Sequence, residues 1–410
     1  GVRLVGSEMC IRDSTSPLDP RAVTPDTAFQ LRDISKLFLA TAVLRLTEYA
    51  ALQRGSTLSL KSEVAAGGVT LEHVLSHTSG WIDHVPTCCS TFKDLCDLGA
   101  TPARCAAITP PLPAGARQQF TPVSYGMLIA HACNLAGVPL AGAWAEMAEA
   151  ALPGRGASGL SLTAPEAPRE VAEPWTKMRN PTIADFAADM LELTAFITAV
   201  SAADKPDATL SERVVSESMT NLFGKLPWLE CGAYRSSLAR SSVMPGSQAY
   251  ASARDAAEAL RAIATGRVLS GSTLTDCLTT RRVPTSASDL AQQSKQPRLF
   301  KIFEGAEFGL GVQIGVAEAA RILDAPPGTE QSWGHLGSNG SFALVLPGSA
   351  ELGTRPLVAT LLLNLDQHGP AGEPGVNDDE YMSDGLYTSR AVLRAVVEAN
   401  RQDAVVRRGA

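Results

Sequence analysis

The chain has 410 residues, a formal net charge of −7 and 45% hydrophobic residues. A chain of this length can bury a substantial core in one large domain or two smaller ones. The mild negative charge is spread along the sequence, which argues against general nucleic-acid binding because that requires a basic surface. No apolar run approaches the roughly 18 residues of a membrane span. We therefore expect a globular protein with neither a nucleic-acid partner nor a membrane-spanning helix.

The amino-terminal segment has neither a helical nor a strand pattern. Residues 4–13 resemble the frame translation of a transposase adapter used in preparing sequencing libraries. We therefore expect residues 1–14 to be non-native and residues 15–405 to form a single domain. A matching genomic exon would contradict this expectation. A leader peptide cannot be inferred from this end, so the sequence leaves the compartment unknown.

The first predicted element is a helix that begins near Asp33 and continues through residues 34–52. It is apolar on nearly every side, which is typical of a helix in the middle of a domain. Residues 67–81 predict a turn, a short helix and a stop at glycine. Residues 83–118 form a proline- and cysteine-rich connection that is too long for a simple turn. Helical patterns follow at 123–137, 183–202, 250–266 and 384–401.

The hydrophobic period changes in the last third of the chain. Residues 307–316, 340–348 and 355–366 have the composition and turn boundaries of antiparallel strands. Helices first and strands later predict an α+β fold, a sheet covered by helices. We expect a sheet subdomain from residues 15–70 and 300–405, and a mostly helical subdomain from residues 71–299.

Four of the eight cysteines form a cluster with the spacing C-C-x6-C-x8-C. Zinc sites usually contain C-x2–4-C pairs, often with histidine, so this spacing favours a disulfide-stapled loop over a metal site. Disulfides would imply an oxidising or secretory compartment. The alternative is a set of scattered thiols in a long loop. The cluster comprises Cys88, Cys89, Cys96 and Cys105.

Five motifs in a characteristic order resemble the superfamily of serine β-lactamases, penicillin-binding proteins and esterases, in its class C-like branch. The resemblance runs from about residue 23 to about residue 366, and it implies the β-lactamase/transpeptidase-like fold. The motifs are TPDTAFQLRDISKLFLATAVLRL, VTLEHVLSHTSGW, FTPVSYGMLIAHACNLAG, MPGSQAYASARDAAEAL and WGHLGSNGSFALVLP.

In that family, as the resemblance implies, a serine at the start of the central helix attacks an acyl group. A lysine three residues later and a tyrosine hydroxyl move the proton, and two backbone N–H groups bind the oxyanion. Lys36 falls on the lysine, but Asp33 stands at the serine position and Phe120 at the tyrosine position. The resemblance assigns His335 and Gly337 to the family's H-x-G segment and the Ser338 N–H to the second oxyanion donor.

Asp33 has two interpretations. It is a preferred helix N-cap residue, and at i and i+3 it could pair with Lys36. Alternatively it could act as a nucleophilic carboxylate, as in some glycosidases and ATPases. Against an ester, however, a carboxylate would form a reactive anhydride, and it has no proton for Lys36 to remove. Phe120 keeps the aromatic ring and loses the hydroxyl, which is a second, separate loss.

The sequence therefore predicts a catalytically degenerate hydrolase that keeps a cleft for a small molecule or a peptide. One alternative is an active esterase, amidase or β-lactamase-like hydrolase with an atypical site. A second is a structural or self-assembling scaffold. No metal-ligand cluster or phosphate loop occurs in the sequence, so we expect no metal and no cofactor. The oligomeric state and the ligand are not specified by the sequence.

Overall fold

The computed structural model describes 14–16, 19–53, 58–81, 89, 92–121, 123–165, 237–279, 307–315, 332–337, 340–348, 356–363, 392–393, 395–396, 398–399 and 402. Its helices are α1 Ser35–Gln53, α2 Leu71–Leu75, α3 Phe92–Cys96, α4 Thr101–Ala106, α5 Ser124–Leu135, α6 Leu140–Ala151, α7 Gly156–Gly159, α8 Ser237–Ser241, α9 Ala253–Ala264 and α10 Gly271–Cys277. Its strands are β1 Ser14–Ser16, β2 Asp19–Ala22, β3 Phe29–Gln30, β4 Glu63–Ala65, β5 Val69–Thr70, β6 Leu160–Ser161, β7 Tyr250–Ala251, β8 Glu307–Phe308, β9 Gln313–Ile314, β10 Trp333–Leu336, β11 Phe342–Leu346 and β12 Leu357–Leu361.

A five-stranded antiparallel sheet in the order β12-β11-β10-β9-β8 forms one layer of the molecule. The central strands are apolar in sequence and buried, with Phe342 opposite both Leu336 and Leu361. Helix α9 packs against β11 and β12. Strands covered by helices confirm the predicted α+β class. A smaller sheet, β3-β7-β6, joins segments that are far apart in the chain.

Helix α1 lies at the centre of the core, as its apolar sequence predicts. Leu37, Phe38 and Leu39 are fully or almost fully buried, and the helix packs against α5 and α6. A short 3₁₀ turn, Arg32–Ile34, precedes α1 and contacts β10. The sheet and the helical layer therefore meet at the amino-terminal end of α1.

Several predicted elements differ from the structure in their detail. Residues 83–118 hold the short helices α3 and α4 within the predicted connection. Residues 307–315 of the strand predicted at 307–316 form a hairpin of β8 and β9, because the chain turns through Gly311, whose φ is +75°. The helix predicted at 183–202 lies outside the described residues, as do residues 1–13 of the segment 1–14 that is predicted to be non-native. The division into subdomains stays a prediction.

The disulfide loop predicted at Cys88, Cys89, Cys96 and Cys105 stays a prediction. Cys88 lies outside the described residues. Cys89 and Cys105 are buried in the main core, whereas Cys96 packs beside Ala239 and Met244 in a separate cluster. Buried cysteines pack as small apolar side chains, which fits the positions of Cys89 and Cys105 in the core.

Within the described part of the chain, we find no individual helix with both the length and the apolar character needed to cross a membrane. Helices α5 and α6 meet this criterion only when they are taken together, and the pair is bent by 95°.

Candidate functional site

Lys36 lies in the first turn of α1, and its side chain is fully buried. Its Nζ donates one hydrogen bond of 2.7 Å to Asp33 Oδ1 and another of 2.7 Å to the carbonyl oxygen of Gly246. The predicted pairing of Asp33 and Lys36 is therefore confirmed. An ammonium removed from water needs such partners, because an uncompensated buried charge costs several kcal/mol (about 3–5).

Asp33 occupies the middle of the 3₁₀ turn and not the residue that precedes α1, which begins two residues later at Ser35. Asp33 therefore binds the Lys36 side chain and does not occupy the N-cap position of α1, which the other interpretation assigns to it. Arg32, the residue before it, has a φ of +50°, which is uncommon for a side chain with a Cβ. The uncommon backbone geometry of this turn therefore lies at Arg32, immediately before Asp33.

The Gly246 carbonyl reaches Lys36 because two glycines allow a close approach of backbones. Gly126, near the start of α5, lies so near the loop before β7 that an added Cβ would stand 1.8 Å from the Pro245 carbonyl oxygen. Gly246 has a φ of +77° and packs its Cα side against Lys36 and Tyr125. Any larger side chain at Gly126 would push the loop and its carbonyl away from the ammonium.

An aromatic cluster closes one side of the buried ammonium. The Phe120 ring centroid lies 5.0 Å from Lys36 Nζ, within range of a cation–π contact. His77 packs against Phe120, Tyr125 and Phe308, with centroid distances of 5.0, 4.7 and 4.6 Å. The Phe120 side chain therefore places an aromatic ring beside Lys36 and contributes no hydroxyl group.

His335 lies on β10 at the other side of the site, with its ring centroid 6.2 Å from that of Phe120. Its Nδ1 is 2.6 Å from the Leu336 carbonyl oxygen, so Nδ1 carries the proton and donates it there. The Gly337 N–H donates to Ser341 O over 2.7 Å, which closes the turn after β10. Ser338, the predicted second oxyanion donor, lies outside the described residues.

Burial sets the protonation of the histidines. It lowers the pKa of His335 to about 4; the Asp33 carboxylate opposes this shift and the Lys36 ammonium adds to it. Burial also holds the pKa of His77 well below its usual range, with further contributions from Lys36 and His335. His77 Nδ1 accepts from the Thr121 N–H at 3.3 Å, which places the proton on Nε2. Both imidazoles are therefore neutral at pH 7.

Burial likewise lowers the pKa of Lys36, against the attraction of Asp33. It raises the pKa of Tyr125, whose hydroxyl donates a long hydrogen bond (3.4 Å) to the Lys36 backbone carbonyl. Tyr125 is therefore an uncharged packing residue at neutral pH. Among the described residues, no three His, Cys, Asp or Glu side chains are grouped so as to hold a metal ion.

The structure brings together Asp33, Lys36, Phe120 and His335 from three separate segments of the chain. The sequence STFK at residues 90–93 also matches S-x-x-K by letters, but Lys93 is exposed and Ser90 is outside the described residues. The sequence does not indicate the Gly246 carbonyl or Tyr125 as partners of Lys36. The glycine in the sequence MPGS indicates a tight turn at Gly246. It could not predict the hydrogen bond to Lys36, because every residue type has the same backbone acceptor.

A family model described as "Beta-lactamase" matches residues 14–380. The chain belongs to the beta-lactamase family. A search of curated proteins found no match.

Solved structures of beta-lactamase-like folds agree with this assignment. A family VIII carboxylesterase matches at 17% identity with a TM-score of 0.59, covering 93% of this chain and 87% of the other. EstA from Arthrobacter nitroguajacolicus Rue61a matches at 14% identity with a TM-score of 0.56, covering 92% and 86%. A penicillin-binding protein homolog from Caulobacter crescentus matches at 18% identity with a TM-score of 0.53, covering 81% and 78%. At these identities the likeness establishes the shared fold and not a shared activity.

Proposed function

We propose that this chain is a catalytically inactive member of the beta-lactamase family that keeps the family's cleft for ligand binding. The observation that carries the proposal is the buried ion pair between Asp33 and Lys36. These two residues occupy the positions of the nucleophile and its lysine partner in the motif resemblance. Acyl transfer requires a hydroxyl group beside the lysine. In this chain the lysine is bound to a carboxylate instead.

The acyl step lacks a competent nucleophile. A serine hydroxyl becomes reactive when a base accepts its proton. The Asp33 carboxylate has no proton to give, and its negative charge is neutralised by a hydrogen-bonded ammonium at 2.7 Å. Attack by a carboxylate on an ester would moreover give an anhydride, which is a less stable acyl compound than the starting ester.

The proton path also lacks a replacement among the described groups of the site. An efficient general base has a pKa near the working pH. The pKa of His335 is lowered to about 4 and that of His77 lies well below its usual range, so both are weak bases at pH 7. Phe120 adds a ring without an ionisable group. These properties favour binding over turnover.

The decisive experiment restores both lost hydroxyls in the double variant Asp33→Ser/Phe120→Tyr. Native and restored proteins are incubated with a fluorophosphonate probe and with a penicillin, followed by intact-mass measurement, and hydrolysis of p-nitrophenyl butyrate is recorded. We expect no adduct and no turnover above background from the native chain. We expect a covalent adduct and measurable ester hydrolysis from the double variant.

The triple variant Asp33→Ser/Phe120→Tyr/Lys36→Ala is the matched control, and it should lose the restored activity. Circular dichroism establishes that each variant is folded before its activity is compared. An adduct on the native chain, or ester hydrolysis by the native chain that Lys36→Ala abolishes, would overturn the proposal in favour of an active hydrolase with an atypical site.

A further inference from the structure

The carboxyl-terminal end of helix α2 has a histidine at the position where glycine is the usual residue. Ser76 is the C-cap of α2, so His77 is the residue after the cap. The His77 N–H donates to the Val74 carbonyl over 3.1 Å, and the Thr78 N–H donates to the His73 carbonyl over 2.8 Å. These two bonds form a Schellman motif, whose residue after the cap adopts a left-handed conformation. The φ of His77 is +56°, which is uncommon for a residue with a Cβ.

The backbone and the side chain of His77 bind the same short segment. The His77 carbonyl accepts a hydrogen bond of 2.7 Å from the Gln119 N–H. Its Nδ1 accepts one of 3.3 Å from the Thr121 N–H and lies 3.2 Å from the Thr121 hydroxyl. One residue therefore binds the N–H groups on both sides of Phe120.

The imidazole ring of His77 is held in place by its neighbours. Its ring centroid is 5.0 Å from that of Phe120, and Tyr125 and Phe308 contact it as well. Burial holds the pKa of His77 well below its usual range, so the neutral ring keeps the Nδ1 lone pair that the Thr121 N–H requires. The Phe120 ring on the other side lies 5.0 Å from Lys36 Nζ. His77 thus connects the end of α2 to the ring that covers the ammonium.

We propose that His77 is a positioning residue for position 120, which it holds beside Lys36. The inference rests on the proposed function, since it takes position 120 as part of the retained site. A glycine would suit the backbone of the Schellman motif and would give the same carbonyl bond to Gln119. It would leave the Thr121 N–H without its acceptor and the Phe120 ring without its neighbour. The end of α2 therefore does not require the histidine side chain, whereas the segment around Phe120 does.

Two substitutions at His77 separate the side chain from the backbone. His77→Gly permits the left-handed conformation and removes the side chain. His77→Asn also tolerates this conformation, and its side-chain oxygen provides an acceptor near the place of Nδ1. Circular dichroism establishes that both variants are folded. We expect the glycine variant to release the segment around Phe120 and the asparagine variant to hold it.

Fluorine NMR of the full-length protein measures this release directly. 4-Fluorophenylalanine is incorporated at position 120 alone, and in a second sample at position 342 alone, because Phe342 is buried in β11 away from this segment. At position 120 we expect one narrow resonance in the native chain and in His77→Asn, and a shifted or broadened one in His77→Gly. At position 342 the three proteins should give the same spectrum. An unchanged resonance at position 120 in His77→Gly, equal changes in both variants, or equal changes at position 342 would contradict a positioning role.

Enzyme kinetics provide a second readout in the restored variant Asp33→Ser/Phe120→Tyr. Adding His77→Gly should lower kcat for p-nitrophenyl butyrate by about 10-fold and change KM by less than about 2-fold, because a misplaced hydroxyl impairs proton transfer and not binding. Adding His77→Asn should leave kcat within about 3-fold of the restored variant. A loss that appears in KM alone, or that is equal in the two variants, would show that His77 only supports the fold.

The two proposals fail in different ways. A native chain that hydrolyses the ester would refute the proposed function and leave the fluorine result on His77 standing. A restored variant without turnover would count against the proposed function, and the fluorine spectra of the native chain and its two variants would still decide the role of His77.

Discussion

Asp33 and Lys36 form an ion pair of 2.7 Å at the junction between the sheet and the helical layer, and Lys36 is fully buried there. The same ammonium binds the Gly246 carbonyl, 210 residues away in the sequence. Lys36 therefore joins the start of the central helix to a distant loop. This structural role accounts for a fully buried lysine at this position.

The first prediction concerns the energy of this pair. Lys36→Met leaves the Asp33 carboxylate without its cation and the Gly246 carbonyl without its donor, and it should lower the free energy of unfolding by about 3–5 kcal/mol. The double variant Asp33→Asn/Lys36→Met removes both charges and should recover much of that loss. Urea denaturation of the native chain, the two single variants and the double variant gives the coupling energy.

The exposed pair of Lys61 and Glu72 provides the control, since the Lys61 side chain is 82% exposed. Lys61→Met should change the free energy of unfolding by no more than about 1 kcal/mol, because exposed ion pairs contribute little. Similar effects of Lys36→Met and Lys61→Met would show that the buried pair does not hold the site together.

The second prediction concerns Gly126, which lets the loop reach Lys36. Gly126→Ala places a Cβ 1.8 Å from the Pro245 carbonyl oxygen, so the loop must move. We expect a loss of about 1–3 kcal/mol in the free energy of unfolding, a typical cost of overpacking. In the restored double variant, Gly126→Ala should also reduce ester hydrolysis, because the Gly246 carbonyl no longer holds the Lys36 side chain.

Gly142 is the matched control because it also lies within a helix and its added Cβ would come no closer than 3.6 Å to a neighbouring atom. Gly142→Ala should stabilise the protein by about 0.5–1 kcal/mol through helix propensity alone. If Gly126→Ala is as stabilising as Gly142→Ala, the close approach of the Pro245 loop is not present in solution.

The local features of this site could be predicted from the sequence, whereas its long-range contacts could not. The i, i+3 spacing was enough to predict the pairing of Asp33 and Lys36, because it fixes both side chains on one face. Phe120 was assigned through the order of family motifs, since nothing in its own segment indicates Lys36. The Gly246 carbonyl has no side-chain signature. The cysteine spacing contains no information on whether the side chains face one another, so the disulfide loop stays a prediction.

The third prediction concerns stability in acid. His335 has a folded-state pKa of about 4, below the ordinary value of 6.5, so the unfolded chain binds more protons between these limits. Stability should therefore fall as pH decreases from about 6.5 toward about 4, by up to roughly 3 kcal/mol for this group.

The charged groups that face His335 are Asp33 and Lys36, and His77 contributes a shift of the same sign. His335→Asn keeps a side-chain donor for the Leu336 carbonyl and removes the titration, so its urea midpoint should depend less steeply on pH than that of the native chain. Parallel pH profiles for the two proteins would show that His335 is not buried as a neutral imidazole.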